Sequence, residues 1–246
     1  MLKLIGFEIQ RKWKPAIIST AIYLVAMFLT VFYIQSKDLV AQSNGAAIIL
    51  PLLLGSAFWF YVLIDGINNL RLEAKRSSRD LYFSLPFSGY AKIGSKLLIS
   101  TLLTLMSGAI IVLTSLVSIG NLINENILRE VLKLVSQEMS NTIYISLFFI
   151  ANVTFFFAMF YLAFGIYRAF FSQFKHGGII TVAIYLFVNY IYSKIVSLIP
   201  ISTTQNVMMD INLWQTLSLQ LVLVTVSALI TFALSGYLFD QRVNFD

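Results

Sequence analysis

Six long apolar runs separated by polar stretches order the 246 residues of this chain. They fall at residues 15–35, 46–64, 97–119, 143–164, 178–199 and 214–239. None alternates with the period of two that a strand of a membrane barrel would show. Each is close to or above the roughly 20 residues that a helix needs to cross a hydrocarbon core about 30 Å thick. The pattern predicts an all-α integral membrane protein, with six transmembrane helices in a single domain over 1–246. The last run is longer than a crossing needs, so a tilt or an interfacial end is expected there.

The polar stretches carry their own periodicity. In residues 1–14, Leu2, Ile5, Ile9 and Trp13 fall in one narrow stripe at helical spacing, with Lys3, Gln10, Arg11 and Lys14 on the other side. This predicts an N-terminal amphipathic helix in the membrane interface, Trp13 at headgroup depth, followed by a true span. A cleaved signal peptide fits less well, because the apolar run is long and no small-residue cleavage site follows it. Between spans three and four, Ile127, Leu128, Val131, Leu134 and Val135 share one helical face, opposite Glu125, Arg129 and Lys133. A short amphipathic connector resting on the outer surface is expected there.

Charge sets the orientation. Lys3, Arg11, Lys12 and Lys14 precede span one; Arg71, Lys75, Arg76, Arg79, Lys92 and Lys96 lie between spans two and three; Arg168, Lys175 and Arg242 follow spans four and six. Those thirteen face four on the other side, Lys37, Arg129, Lys133 and Lys194. Basic loops stay in the cytoplasm, so both termini and the basic stretch at 65–96 are expected there.

Composition agrees with this picture and narrows the chemistry. The chain is 59% hydrophobic and 11% charged, with a mean hydropathy of +0.84; a soluble domain carries about 25% charged residues. The formal charge of +6 reads as orientation charge rather than as a nucleic-acid surface. With no cysteine and one histidine, His176, thiol chemistry is excluded and a catalytic metal site or intramembrane protease is disfavoured. His176 is expected as a solvated loop residue. Asp65, Arg168 and Asp240 sit at span ends, and Lys194 can snorkel outward. This scarcity of central charge argues against an ion-coupled carrier. Asn152, Thr154, Asn189, Ser107 and Thr114 are expected to serve helix packing, the asparagines through hydrogen bonds across helices, with a polar spot on a translocation surface as the lesser reading. The phenylalanines of span four (Phe148, Phe149, Phe155, Phe156, Phe157, Phe160 and Phe164) are expected mostly as lipid-facing and packing bulk. Gly89 and Gly94 have the spacing of a phosphate-binding loop, but the next residues are Ser95-Lys96, in the wrong order, and no strand precedes them. The chain is therefore expected to bind no nucleotide and no cofactor of its own, the glycines shaping a turn and the lysines anchoring span three.

The stretch from Leu72 to Ser88 reads Leu-Glu-Ala-Lys-Arg-Ser-Ser-Arg-Asp-Leu-Tyr-Phe-Ser-Leu-Pro-Phe-Ser. With Glu73, Leu85-Pro86-Phe87-Ser88 and then Lys96 before span three, it resembles the permease subunits of the ABC-2 exporter family, within the same six-span topology. That resemblance implies a bacterial cytoplasmic-membrane exporter of apolar or amphipathic peptides. It also implies a second permease subunit, identical or not, and a separate ATPase subunit that holds the ATP and Mg²⁺. The 66–96 stretch would form a cytoplasmic coupling helix and residues 1–14 an elbow. Glu73, Lys75, Arg76, Arg79, Asp80, Leu81 and Phe83 would contact the ATPase. Pro51, Gly55, Phe58 and Trp59 of span two and Asn189 and Tyr190 of span five would line the path. The competing expectations are a membrane scaffold or sensor without transport, and a secondary transporter.

Overall fold

The computed structural model describes residues 2–36, 44–73, 88–122, 129, 133, 136, 139–174, 176–198 and 213–241. These are helical almost throughout. The six helices are α1 (Leu2–Ser36), α2 (Asn44–Glu73), α3 (Gly89–Leu122), α4 (Met139–Phe170), α5 (Gly177–Leu198) and α6 (Leu213–Gln241). All six are long and apolar enough to cross a membrane. The described part is thus an all-helical, multi-pass membrane architecture, as the apolar runs predict.

Several helices outlast their apolar runs. α1 has 35 residues, about 52 Å at 1.5 Å per residue, against a hydrocarbon core of about 30 Å. The surplus is its N-terminal third. Residues 2–14 and the first span are therefore one unbroken helix, with Pro15 inside it. A proline removes one backbone hydrogen bond, which a helix in a membrane tolerates where neighbours compensate.

The described chain divides into two compact units. Unit 1 comprises Met1–Leu4, Ile67–Leu98 and Tyr144–Asp246. Its core joins Phe155 and Met159 of α4 to Val224 and Ala228 of α6, with Tyr185, Val188 and Tyr192 of α5 packed on. Most span-four aromatics therefore point inward rather than into lipid. Phe155, Phe157 and Phe164 are buried and only Phe149 of the seven is exposed. Their rings meet Tyr192 at 4.7 Å, Tyr185 at 5.9 Å from Phe156 and Phe239 at 6.3 Å. Such pairs add about 0.5–1.5 kcal/mol each beyond area burial.

The start of α3 is also fixed within unit 1. The Ser88 hydroxyl accepts from the Ala91 amide at 3.3 Å and the Asp240 carboxylate from the Gly89 amide at 2.9 Å. Two amides left over at a helix start are thus satisfied, and the carboxylate sits where the helix dipole favours it. Gly89 lies against α6: a Cβ there would stand 2.6 Å from the Gly236 carbonyl oxygen. Gly89 serves close helix approach, and Gly94 lies inside α3, so neither shapes the turn expected from sequence.

Unit 2 comprises Ile5–Gly66 and Ile99–Ile143. Tyr23 of α1 stacks on Phe58 of α2 with ring centroids 4.5 Å apart, and its hydroxyl bonds Thr114 of α3 at 2.8 Å. A Cβ on Gly55 would meet Ile111 Cγ2 at 2.8 Å, so α2 and α3 also touch closely here. Arg129, Lys133 and Ser136 are helical, and all three are exposed. The apolar face expected for that connector lies outside the described residues.

Candidate functional site

Helical spacing places Leu4, Glu8 and Lys12 on one face of α1, since residues four apart stack one above the next. All three are buried, Glu8 at 0% exposure. Ile9 and Trp13, from the apolar stripe, are exposed instead. Two of the segment's charged residues, Glu8 and Lys12, therefore face inward, whereas Lys14 is exposed. Arg11 lies 3.5 Å from the Glu8 carboxylate.

Lys12 reaches across to α2. Its ammonium donates to the Asp65 carboxylate and to the Asp65 carbonyl oxygen at 3.3 Å. The two ends of this ion pair differ in access: the Lys12 side chain is 9% exposed and that of Asp65 is 38% exposed. The pair joins α1 to α2 near the charged ends of both helices.

From the pair, an apolar groove of about 520 Å³ runs between α1, α2 and α3 of unit 2. Ile17, Leu24, Phe58, Leu103 and Ile110 line it, with Lys12 and Asp65 at its charged end. Two of its hydroxyls bond back to their own helices: Ser19 donates to the Ala16 carbonyl at 3.0 Å and Ser107 to the Thr104 carbonyl at 2.8 Å. Trp13, Ile17, Tyr61, Leu102 and Met106 along it are exposed, so it opens on the side of the unit that apolar residues cover. The volume falls within the range usual for small-molecule pockets, about 300–1,000 Å³. A groove of about 490 Å³ in unit 1, lined by residues such as Leu97, Leu147, Leu221 and Phe232, has no charged residue in its wall.

The residues singled out from the sequence are distributed unevenly. Glu73 is the last residue of α2; Lys75, Arg76, Arg79, Asp80, Leu81 and Phe83 lie outside the described residues. Phe58 lines the groove, Pro51 and Gly55 are buried in α2, and Trp59 is half-buried. Asn189 and Tyr190 are exposed on α5, in the other unit. The Lys194 ammonium sits 5.7 Å from the centre of the Tyr190 ring, a cation–π contact on an exposed face. His176 is exposed, and its carbonyl accepts from the Ile179 amide at 3.0 Å where α5 begins.

The mid-span polar residues mostly turn onto their own helices rather than across to others. Asn152 donates to the Phe148 carbonyl and Thr154 to the Ile150 carbonyl; Thr114 bonds both its own helix and Tyr23. Lys92 and Lys96, expected to anchor α3 at the headgroups, are buried, Lys96 at 1% exposure. Sequence reasoning missed Glu8, Lys12, Lys92 and Lys96 as inward-facing. The signal was present in the spacing of four between the members of each pair.

Among the described residues, no three His, Asp or Glu side chains are grouped as metal ligands. The groove combines an apolar wall with the Lys12–Asp65 ion pair. The chain matches no protein-family model, no curated protein and no solved structure.

Proposed function

We propose that this chain is the membrane subunit of an ATP-driven exporter of the ABC-2 permease kind. In this reading it sits in a bacterial cytoplasmic membrane with both termini inside. It carries no ATPase site of its own, and it moves apolar or amphipathic peptides outward together with a second permease subunit. The observation that carries the reading is the stretch joining α2 to α3. α2 runs on past its apolar run to Glu73, and α3 opens at Gly89 under the Ser88 cap. Between them lie Lys75, Arg76, Arg79 and Asp80 beside Leu81 and Phe83. A short segment of mixed charge and aromatics between two long helices suits docking of a soluble subunit, whose movement would then tilt both helices.

The secondary-transporter reading gains one observation, the burial of Glu8, Lys12 and Lys96. These residues lie in the helix ends outside the central apolar runs, where charge costs far less than at the bilayer centre. The exporter reading is therefore preferred.

The test is a search of the neighbouring reading frames for an ATPase with a Gly-x4-Gly-Lys-Ser/Thr loop, followed by copurification with it. Replacing both Arg76 and Arg79 by Glu is expected to abolish the complex and peptide export while the chain still inserts in the membrane. Retention of complex and export after that change and after removal of residues 72–84 would overturn the proposal.

A further inference from the structure

We infer that the groove of unit 2 holds one acyl chain of a bilayer phospholipid whose headgroup carries a primary ammonium, with that ammonium on the Asp65 carboxylate. This goes beyond the export reading and does not depend on it.

Length, lining and charge select the occupant. From Ile9, one turn beyond Lys12, to Leu24, the groove follows α1 for about 22 Å at helical rise. One leaflet of hydrocarbon is about 15 Å deep, half of a core near 30 Å. The groove is thus long enough for one lipid chain, with the remainder at the headgroup end. Along that length the wall is almost wholly apolar, Pro15, Ile17, Leu24, Leu103 and Ile110 among its residues, as a hydrocarbon chain requires. Trp13 and Tyr61 lie on its wall beside the ion pair, the aromatic type that settles at headgroup depth.

Charge then selects the headgroup. Of the two ions at the head of the groove, Lys12 is the enclosed one and Asp65 the accessible one. An arriving headgroup meets a carboxylate that can accept a hydrogen bond from an N–H. A primary ammonium supplies that donor, whereas a quaternary ammonium has none.

The experiment incorporates the full chain into vesicles of equal parts phosphatidylethanolamine, phosphatidylcholine and phosphatidylglycerol. Lipid retained after mild detergent extraction is then counted by native mass spectrometry. The wild type is expected to retain one tightly held lipid, with phosphatidylethanolamine enriched about threefold to fivefold over phosphatidylcholine, as a half-exposed ion pair would give. Asp65→Asn removes the enrichment. Because that change leaves Lys12 buried without its partner, the double variant Lys12→Met with Asp65→Leu is measured beside it and is expected to lose the enrichment in the same way. Leu103→Trp, which fills the groove, loses the lipid, while Leu98→Trp in the groove of unit 1 does not. Equal retention of all three lipids, preference for phosphatidylglycerol, or enrichment that survives both changes at Asp65 would overturn the inference. Displacement of the lipid one for one by an added amphipathic helical peptide would also overturn it.

Discussion

Glycine 89 should tolerate no side chain at the junction of α3 and α6. A methyl group on it would stand 2.6 Å from the Gly236 carbonyl oxygen, 2.7 Å from the Asp240 amide nitrogen and 3.0 Å from the Phe239 carbonyl carbon. All three are backbone atoms, which cannot rotate aside as a side-chain tip can. Ordinary contact begins near 3.4 Å, so α3 must withdraw from α6 by several tenths of an ångström. The withdrawal also lengthens the bond from the Gly89 amide to the Asp240 carboxylate. Overpacking of this kind costs about 1–3 kcal/mol, whereas Gly→Ala within a helix returns at most about 1 kcal/mol of propensity. Sterics therefore outweigh propensity, and Gly89→Ala should destabilise by about 1–2 kcal/mol. At about 2–4 °C per kcal/mol for a chain of this size, the unfolding midpoint falls by about 2–8 °C. Gly6 of α1 is the control, because a Cβ there meets nothing within 4 Å. Gly6→Ala should leave the midpoint unchanged or raise it slightly. Both are measured by tryptophan fluorescence on heating in one detergent. A Gly89→Ala midpoint at or above wild type would refute the close approach of α3 to α6.

Two further outcomes follow from particular contacts and charges. Tyr23→Phe and Thr114→Val each break the same hydrogen bond. Each should cost about 0.6 kcal/mol, typical of a side-chain bond between membrane helices, and the double variant should cost less than the sum in the same thermal assay. On the orientation proposed above, Ser78 lies inside and Ser136 outside. The chain contains no cysteine, so in intact cells an impermeant thiol reagent should label Ser136→Cys and spare Ser78→Cys; labelling of Ser78→Cys would reverse the orientation.

The six helices were legible because crossing a membrane demands one uninterrupted apolar length, and each run supplies it. Their ends were not. Asp65 closes an apolar run, yet α2 continues to Glu73; Pro15 opens one, yet α1 passes through it. Once a helix is longer than the hydrocarbon core, its surplus lies where water and headgroups satisfy polar side chains. Apolar content then stops marking where the helix stops. The Ser88 cap was present in the sequence, but whether it or Lys96 opened α3 depended on Asp240, some 150 residues away.

The inward faces were harder still. In a soluble helix the apolar side is the buried side. Lipid is as apolar as leucine, so in a membrane that rule loses its force. α1 shows the consequence: Trp13 and Ile9 face out while Glu8 and Lys12 are enclosed. Lys92 and Lys96 read in sequence as anchors because they flank an apolar run, and Lys12 reads only as orientation charge. Spacing alone puts each pair on one face, but only the packing of neighbouring helices decides whether that face snorkels or buries. The groove has no sequence signature for the same reason: its wall comes from three helices, and its volume exists only between them. What the sequence does carry is the asymmetry that makes the groove selective. Asp65 is the single acid between the second apolar run and Glu73. An acid at that position would repel the headgroup phosphates around it unless a lysine from another helix offset its charge. Lys12 is that lysine, and because it is the more enclosed of the two, the pair still presents a carboxylate to whatever lies in the membrane beside it.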